Sequence, residues 1–294
     1  MAEEKQKTKR PLKNIVISGL KSFYYRITEP SRLRIRRLIH DKEYKNEKPL
    51  ISIYCPTYNR GQILIERAVK SVLSQTYKKF EFIIIGDCCT DNTEELISKI
   101  NDDRVIFYNI PERGYRYPDT PENHWFAGPV VAANTALKMV KGKWIARIDD
   151  DDIWAEDHLE ILLKTAYEND YEFVSALNEE RRYNEVYVRY GEHAQSPYYT
   201  RKKKEPKGYN PKIGGTSSWL YRSYLKFMRY NLDCWRKKWN KVNDVDLSQR
   251  FFKAGVRMGF VEKVLYYCYP RPDEETIGLD AYRKAEEKGK KTHL

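Results

Sequence analysis

Four consecutive carboxylates, Asp149, Asp150, Asp151 and Asp152, follow a short apolar stretch, residues 144–148, in which Arg147 is the one charge. Crowding four like charges costs free energy unless something cationic sits among them. Oxygen-only ligands suit a hard divalent cation, Mg²⁺ or Mn²⁺, better than zinc or copper. The spacing rules out a calcium loop of the EF-hand kind: counted from Asp149, position five is Ile153, and position six, which needs glycine, is Trp154. The plain alternative is a solvated acidic turn. Two more polar groups bear on that choice, Pro56-Thr57-Tyr58-Asn59-Arg60 after the apolar run 50–55 and Gly86-Asp87 after the apolar run 80–85.

The surrounding pattern says where these groups must lie. From residue 50 the chain reads as strand, helix, strand, helix: strands at 50–55, 80–85, 105–110, 144–148 and 171–176. Between them lie helical patterns at 61–75, from Thr93 onward, at 130–140 and at 155–169. In the first helix Ile65, Ala68, Val69, Val72 and Leu73 share one face. Residues 90–93 supply capping side chains, with Glu94 and Glu95 in the next first turn. Apolar strands alternating with amphipathic helices predict βαβ units, hence an α/β fold with a mostly parallel sheet. Ligands of such sheets bind beyond the carboxyl ends of the strands. The Thr57–Arg60 group, Asp87 and the acidic run would then share one rim, which weighs against the solvated-turn reading.

The second half is less regular. Residues 185–190 alternate like a β ribbon, and Arg201, Lys202, Lys203, Lys204 and Lys207 make a basic loop. Gly214, Gly215, Thr216, Ser217 and Ser218 read as a flexible polar turn before a Trp- and Tyr-rich helix. Residues 244–254 read as a helix ended by Gly255, residues 256–269 as a strand, and the tail from Arg283 as charged and frayed.

Composition narrows the class. The 294 residues are 41% apolar, and no run approaches a transmembrane span. The N-terminus lacks the apolar core of a secretory signal. Five cysteines form no CxxC pair, which points to a reducing cytosol and away from a disulfide framework or zinc. The net charge is +12, and two-thirds of it sits in residues 1–48. The excess thus belongs to an arm with an anionic partner, attached to a nearly balanced body. In that arm Leu12, Ile15, Val16, Gly19, Phe23 and Ile27 follow helical spacing. Glu29-Pro30-Ser31 breaks the pattern, and a second basic piece resumes around Leu33, Ile35, Leu38 and Ile39. Two readings stay open for residues 10–40: attachment to an anionic membrane surface, or docking of the apolar stripe on the protein's own body.

No glycine-rich phosphate loop, dinucleotide fingerprint or GxSxG elbow is present, and the five histidines show no ligand spacing. Phosphate recognition would have to run through a carboxylate-held cation, the arrangement suited to departure of a nucleoside diphosphate. The stretches ISIYCPTYNR, EFIIIGDCCTDNT, GPVVAANTALKMVKGKWIARIDDDDIW and NDVDLSQRFFKAG, in that order between Pro49 and Gly255, resemble family 2 of the glycosyltransferases, nucleotide-diphospho-sugar transferases of GT-A fold. The resemblance implies an inverting, Mn²⁺- or Mg²⁺-dependent transfer from a nucleotide-diphosphate sugar, UDP-linked, to a glycan or lipid-linked glycan of the cell envelope. It implies a cytoplasmic location, on or near the inner face of the membrane, and no nucleic-acid partner. It places Pro56, Thr57, Tyr58, Arg60, Asp87, Asn134, Asp149 and Asp150 around the nucleotide sugar. Asp149 and Asp151 would sit at the metal, Gly215, Thr216, Ser217 and Trp219 on the acceptor side, and Asp244 would be the catalytic base. Asp244 could equally be the N-cap of its helix, and Asp246 is the competing base. Trp154 reads as packing; Trp219, Tyr221, Trp235 and Trp239 could stack on a sugar or fill the core.

Three positions depart from the family pattern. Gly86-Asp87 replaces an acidic pair, Ala133-Asn134 stands where Arg-Asn is common, and Tyr269-Pro270-Arg271-Pro272 lacks a histidine. The expected organisation is an arm at 1–48, a catalytic domain at 49–270 with nucleotide-binding half 49–176 and acceptor half 177–270, and a charged tail at 271–294. Two rival functions remain, a sugar-nucleotide pyrophosphorylase and a basic nucleic-acid- or membrane-binding module without catalysis.

Overall fold

The computed structural model describes residues 11–45, 48–189 and 212–288; the basic loop at 201–207 lies outside them. Strands β1 (Ile51–Thr57), β2 (Phe80–Gly86) and β4 (Trp144–Arg147) are buried along their whole length. That is why they read as near-continuous apolar runs and not as alternation. β1 pairs in parallel with β2 and with β4, and β2 in parallel with the edge strand β3 (Val105–Asn109). Helices cover the faces, among them α4 (Thr93–Ser98), α6 (Val130–Met139) and α7 (His158–Glu168).

Beyond β4 the sheet changes character. β8 (Leu220–Arg222) runs antiparallel to both β4 and β6 (Phe173–Arg182), and β9 (Met258–Cys268) runs parallel to β6. The short β5 (Asp152–Trp154) closes the order on β9, and β7 (Glu185–Arg189) pairs with β6. Only residues 148–151 separate β4 from β5 in the chain, yet β8, β6 and β9 lie between them in the sheet. The sheet must therefore curl, and a register shift between Ala176 and Asn178 on β6 supplies a bend. The acidic run spans the mouth of that curl.

Several elements differ from the sequence reading. The helix at 61–75 is interrupted by a π turn, Ile65–Val69, between α2 (Gly61–Leu64) and α3 (Lys70–Leu73). The segment 111–128 contains α5 (Pro121–Ala127), capped by the Thr120 side chain, which accepts from the Asn123 amide at 3.2 Å. Residues 220–222 form strand β8 and not a helix, because their backbone completes the ladder beside β4. The tail does not fray at Arg283: α9 (Leu279–Glu287) packs on α5, with Arg283 donating to Glu122 at 3.0 Å.

The N-terminal arm is one helix, α1 (Leu12–His40), running through Pro30. Proline there removes one backbone donor and strains the preceding turn. Contacts on both sides of it hold the helix: Glu29 meets Arg250 at 3.2 Å, Leu33 is buried, and Arg37 donates to Glu172 at 2.5 Å. Arg250 belongs to α8 (Asn243–Ala254), whose Gly255 stop takes a left-handed φ of 92°.

The turn at 214–218 is buried and tight, contrary to the flexible turn expected. A Cβ on Gly214 would lie 2.0 Å from the Ala176 carbonyl oxygen. Gly214→Ala should therefore cost about 2 kcal/mol through overpacking, read as a fall of several degrees in Tm by calorimetry. A Tm equal to wild type would show that this backbone approach is not constraining.

Candidate active site

The loops after β1, β2 and β4 meet at one cavity of about 350 Å³. Pro56, Thr57, Tyr58 and Arg60 line it from β1, Asp87 from β2, and Asp149, Asp150 and Asp151 from the β4–β5 connection. From the other half come Gly215, Thr216 and Asp244. The carboxyl ends of the parallel strands thus converge as the topology requires.

The four carboxylates divide into two kinds. Asp150 is buried: Thr57 Oγ1 donates to its Oδ2 at 2.8 Å and Arg60 Nη1 to its Oδ1 at 3.1 Å. Asp152 is also buried, on β5, and Ser217 Oγ donates to its Oδ2 at 2.5 Å. Asp149 and Asp151 stay more open, with side chains 37% and 30% exposed. Arg147 grips Asp149 Oδ1 with Nε at 3.0 Å and Nη2 at 2.8 Å, and Arg60 lies 3.7 Å from Asp151. Burial first, then mutual repulsion, push the carboxyls of Asp149, Asp150 and Asp152 upward, against the pull of Arg147 on Asp149 and Arg60 on Asp150.

Ser217 is the clamp of this arrangement. Its hydroxyl accepts from the Asp149 amide at 2.9 Å while donating to Asp152, and its carbonyl accepts from Trp154 Nε1 at 2.5 Å. Ser217 is fully buried and absent from the cavity lining. Its expected place on the acceptor side is corrected accordingly: its hydrogen bonds are spent on the acidic run. Trp219, also expected there, is a core residue, edge-on to Phe173 at 5.2 Å with its indole donating to the Gly214 carbonyl at 3.0 Å. Asn134, expected at the nucleotide, does not line the cavity either. Both ends of its amide are occupied by the Tyr230 backbone, at 2.9 and 3.0 Å.

Asp87 is almost fully buried, and Arg116 Nη1 reaches its Oδ2 at 2.6 Å and Arg113 Nε at 3.3 Å. Its other oxygen, Oδ1, is buried without a hydrogen-bond partner among the described residues. Arg113 also stacks over the Tyr58 ring at 4.1 Å. Sequence reasoning missed both arginines; the only signal was two cations inside a Pro-, Gly- and aromatic-rich connection. It also missed Tyr282 on α9, whose hydroxyl accepts from Arg60 at 3.4 Å, and set aside Arg271, which lines the cavity beside Glu274.

Asp244 is not the N-cap; Val242 holds that position and Asp244 lies in the first turn of α8. Its Oδ1 accepts from the Val245 amide at 2.7 Å and its Oδ2 from Thr216 Oγ1 at 2.7 Å. A helix N-terminus favours negative charge at this place. Asp246 faces away from the cavity, locked between Lys237 at 2.7 Å and Arg250 at 3.2 Å.

The fold is that of GT-A glycosyltransferases. The Staphylococcus aureus TarS structure with UDP-GlcNAc matches with TM-score 0.53 at 18% identity, over 76% of this chain and 60% of that one. The mannosyltransferase PcManGT from Pyrobaculum calidifontis, in complex with GDP-Man and Mn²⁺, matches with TM-score 0.53 at 15% identity, over 86% and 70%. The family model for glycosyl transferase family 2 matches residues 52–228, and the chain belongs to that family. The Escherichia coli UDP-Glc:alpha-D-GlcNAc-diphosphoundecaprenol beta-1,3-glucosyltransferase WfaP is 40% identical over 105 residues, 36% of each protein. The matched region spans less than half of the length of the curated relatives.

Ser217→Ala would leave Asp152 and the Asp149 amide without their shared partner. The expected cost is about 2 kcal/mol, measurable as a lower urea midpoint, with activity falling alongside. An unchanged midpoint would remove Ser217 as the clamp.

Proposed function

We propose that the chain transfers a sugar, with inversion, from a nucleoside-diphosphate donor, UDP-linked, to a hydroxyl of a glycan or lipid-linked glycan. The observation that carries this is the convergence on one cavity of Asp87, the acidic run and Asp244, each from a different strand or helix. Tyr58, Arg113 and Asp87 form the nucleoside end. The unpartnered, buried Asp87 Oδ1 suits a donor N–H or O–H of base or ribose, because an unmet buried acceptor is costly.

Asp149 and Asp151 would hold a divalent cation, Mn²⁺ or Mg²⁺. The donor set fits one: both are acidic, open to the cavity and part of a run of four carboxylates. Among the described residues no group of three His, Cys, Asp or Glu side chains is placed to hold a metal ion by itself. That suits an ion taking one or two carboxylates and the rest of its ligands from phosphate. When bound, the cation neutralises charge on the departing diphosphate. Arg60 and Arg271, on the same wall, add fixed positive charge for that group.

Asp244 accepts the proton of the attacking hydroxyl. Thr216 and the Val245 amide orient its carboxylate toward the cavity rim. Asp246 has no such access.

Asp244→Asn should lower kcat by roughly 10²–10⁴-fold while leaving UDP binding near wild type, by stopped-flow turnover and calorimetric titration. A fully active variant would move the base elsewhere. A thermal-shift panel of UDP, GDP and their sugars, with and without Mn²⁺, tests the donor. Stabilisation by UDP-sugar and Mn²⁺ together, lost in Asp151→Ala, is expected; no response to any nucleotide would sink the reading. Pyrophosphate in place of UDP as product would indicate a pyrophosphorylase. Because burial raises the Asp149 carboxyl, its ionisation lags as pH rises, so Mn²⁺-dependent nucleotide affinity should strengthen from acid toward neutral pH.

A further inference from the structure

α1 packs on the body by its polar side. Lys21 pairs with Asp233, Glu29 with Arg250 and Arg37 with Glu172, while Leu33 is buried among these contacts. The apolar ladder lies on the outside instead. Val16, Leu20, Phe23, Ile27, Ile35 and Leu38 recur at helical spacing and are exposed, from 49% at Val16 to 81% at Leu38. The reading in which this stripe docks on the protein's own body therefore fails for all of these residues. An amphipathic helix normally buries its apolar face; this one presents it.

The charges sort in the same sense. The described acids of the arm face the body's cations: Glu29 meets Arg250, Asp41 meets Arg222 and Arg257, and Glu43 meets Lys143. Lys13, Arg26, Arg34 and Arg36 have no carboxylate partner among the described residues. What α1 offers outward is thus an apolar ladder roughly 33 Å long, from its rise per residue, flanked by unneutralised positive charge.

We propose that the outward face of α1 is a docking surface for an anionic lipid bilayer, lying in the plane of the headgroups. The apolar ladder would enter the acyl boundary and the flanking cations would meet lipid phosphates. A second copy of the chain fits less well, since pairing this face with itself opposes like charges. Nucleic acid would satisfy the cations and leave the ladder in water. The inference does not rest on the proposed donor or acceptor, only on α1.

The test is flotation of the whole chain with phosphatidylcholine vesicles, with and without phosphatidylglycerol. Phe23→Glu/Ile27→Glu and Arg34→Glu/Arg36→Glu serve as variants, with sedimentation velocity in the absence of lipid. Wild type should float with the anionic vesicles and at least tenfold less with neutral ones. Both variants should lose flotation while keeping wild-type Tm and nucleotide response, since the substituted side chains are exposed. Absence of flotation, equal flotation of the variants, or a wild-type dimer that either variant dissociates would overturn the proposal. Retention on duplex DNA unaffected by Phe23→Glu/Ile27→Glu, without flotation, would assign the cations to nucleic acid and equally overturn it.

Discussion

The structure is built around the cost of placing four carboxylates on one short connection. A run of acids at the mouth of a curled sheet cannot persist as free charge, and the fold answers each member differently. Arg147, fully buried at the end of β4, takes one oxygen of Asp149; Arg60 and Thr57 take both oxygens of Asp150. Ser217 ties the Asp149 amide to the Asp152 carboxylate. The connection is thus held by its buried members so that Asp149 and Asp151 can stay open. Much of what lies behind the cavity follows from that need. The close approach at Gly214 seats Ser217, and the antiparallel strand β8 continues directly from it.

This division also separates scaffold from chemistry on the acceptor side. Thr216 and Ser217 are adjacent, yet one holds Asp244 and the other holds the acidic run. A three-residue turn therefore couples the candidate base to the candidate cation site through the buried hydroxyls of two adjacent residues. Because both side chains are short and buried, such coupling fixes relative position, which suits reactions where misplacement of the attacking group is costly.

How much of this was legible in the sequence follows from what each signal depends on. The parallel strands and the rim were legible because burial on both faces forces apolar runs, and topology alone sends polar groups to the strand ends. Asp87, Asp149 and Asp151 could be set on that rim for that reason, whereas Asp244, in the first turn of a helix, was placed only by the family resemblance. The roles of Ser217, Trp219 and Asn134 were not legible, since whether a polar or aromatic side chain faces a cavity or the core depends on the curl of the sheet. Residue 219 read as the start of a helix, whereas it directly precedes strand β8 with its indole buried and bonded to the Gly214 carbonyl. The arginines on Asp87 were hidden in a connection without periodicity. In α1 the amphipathic period was visible, but its orientation was not, because that depends on ion pairs with residues 135 to more than 200 positions away.

The orientation of α1 bears on the whole molecule. Docking a helix through salt bridges and a single buried leucine gives up the apolar burial that usually holds such an element. Glu29 and Arg37 instead rely on pairs whose partners, Arg250 and Glu172, are buried, and Lys21 on the half-buried Asp233. Buried pairs of this kind define geometry more than they add stability, since desolvation offsets much of their attraction. An arm fixed in direction by charge, with its apolar side turned out, is arranged to meet a surface; one held by its apolar side would have no face left to offer. The body then stands at a set angle to that surface, and with it the mouth of the cavity.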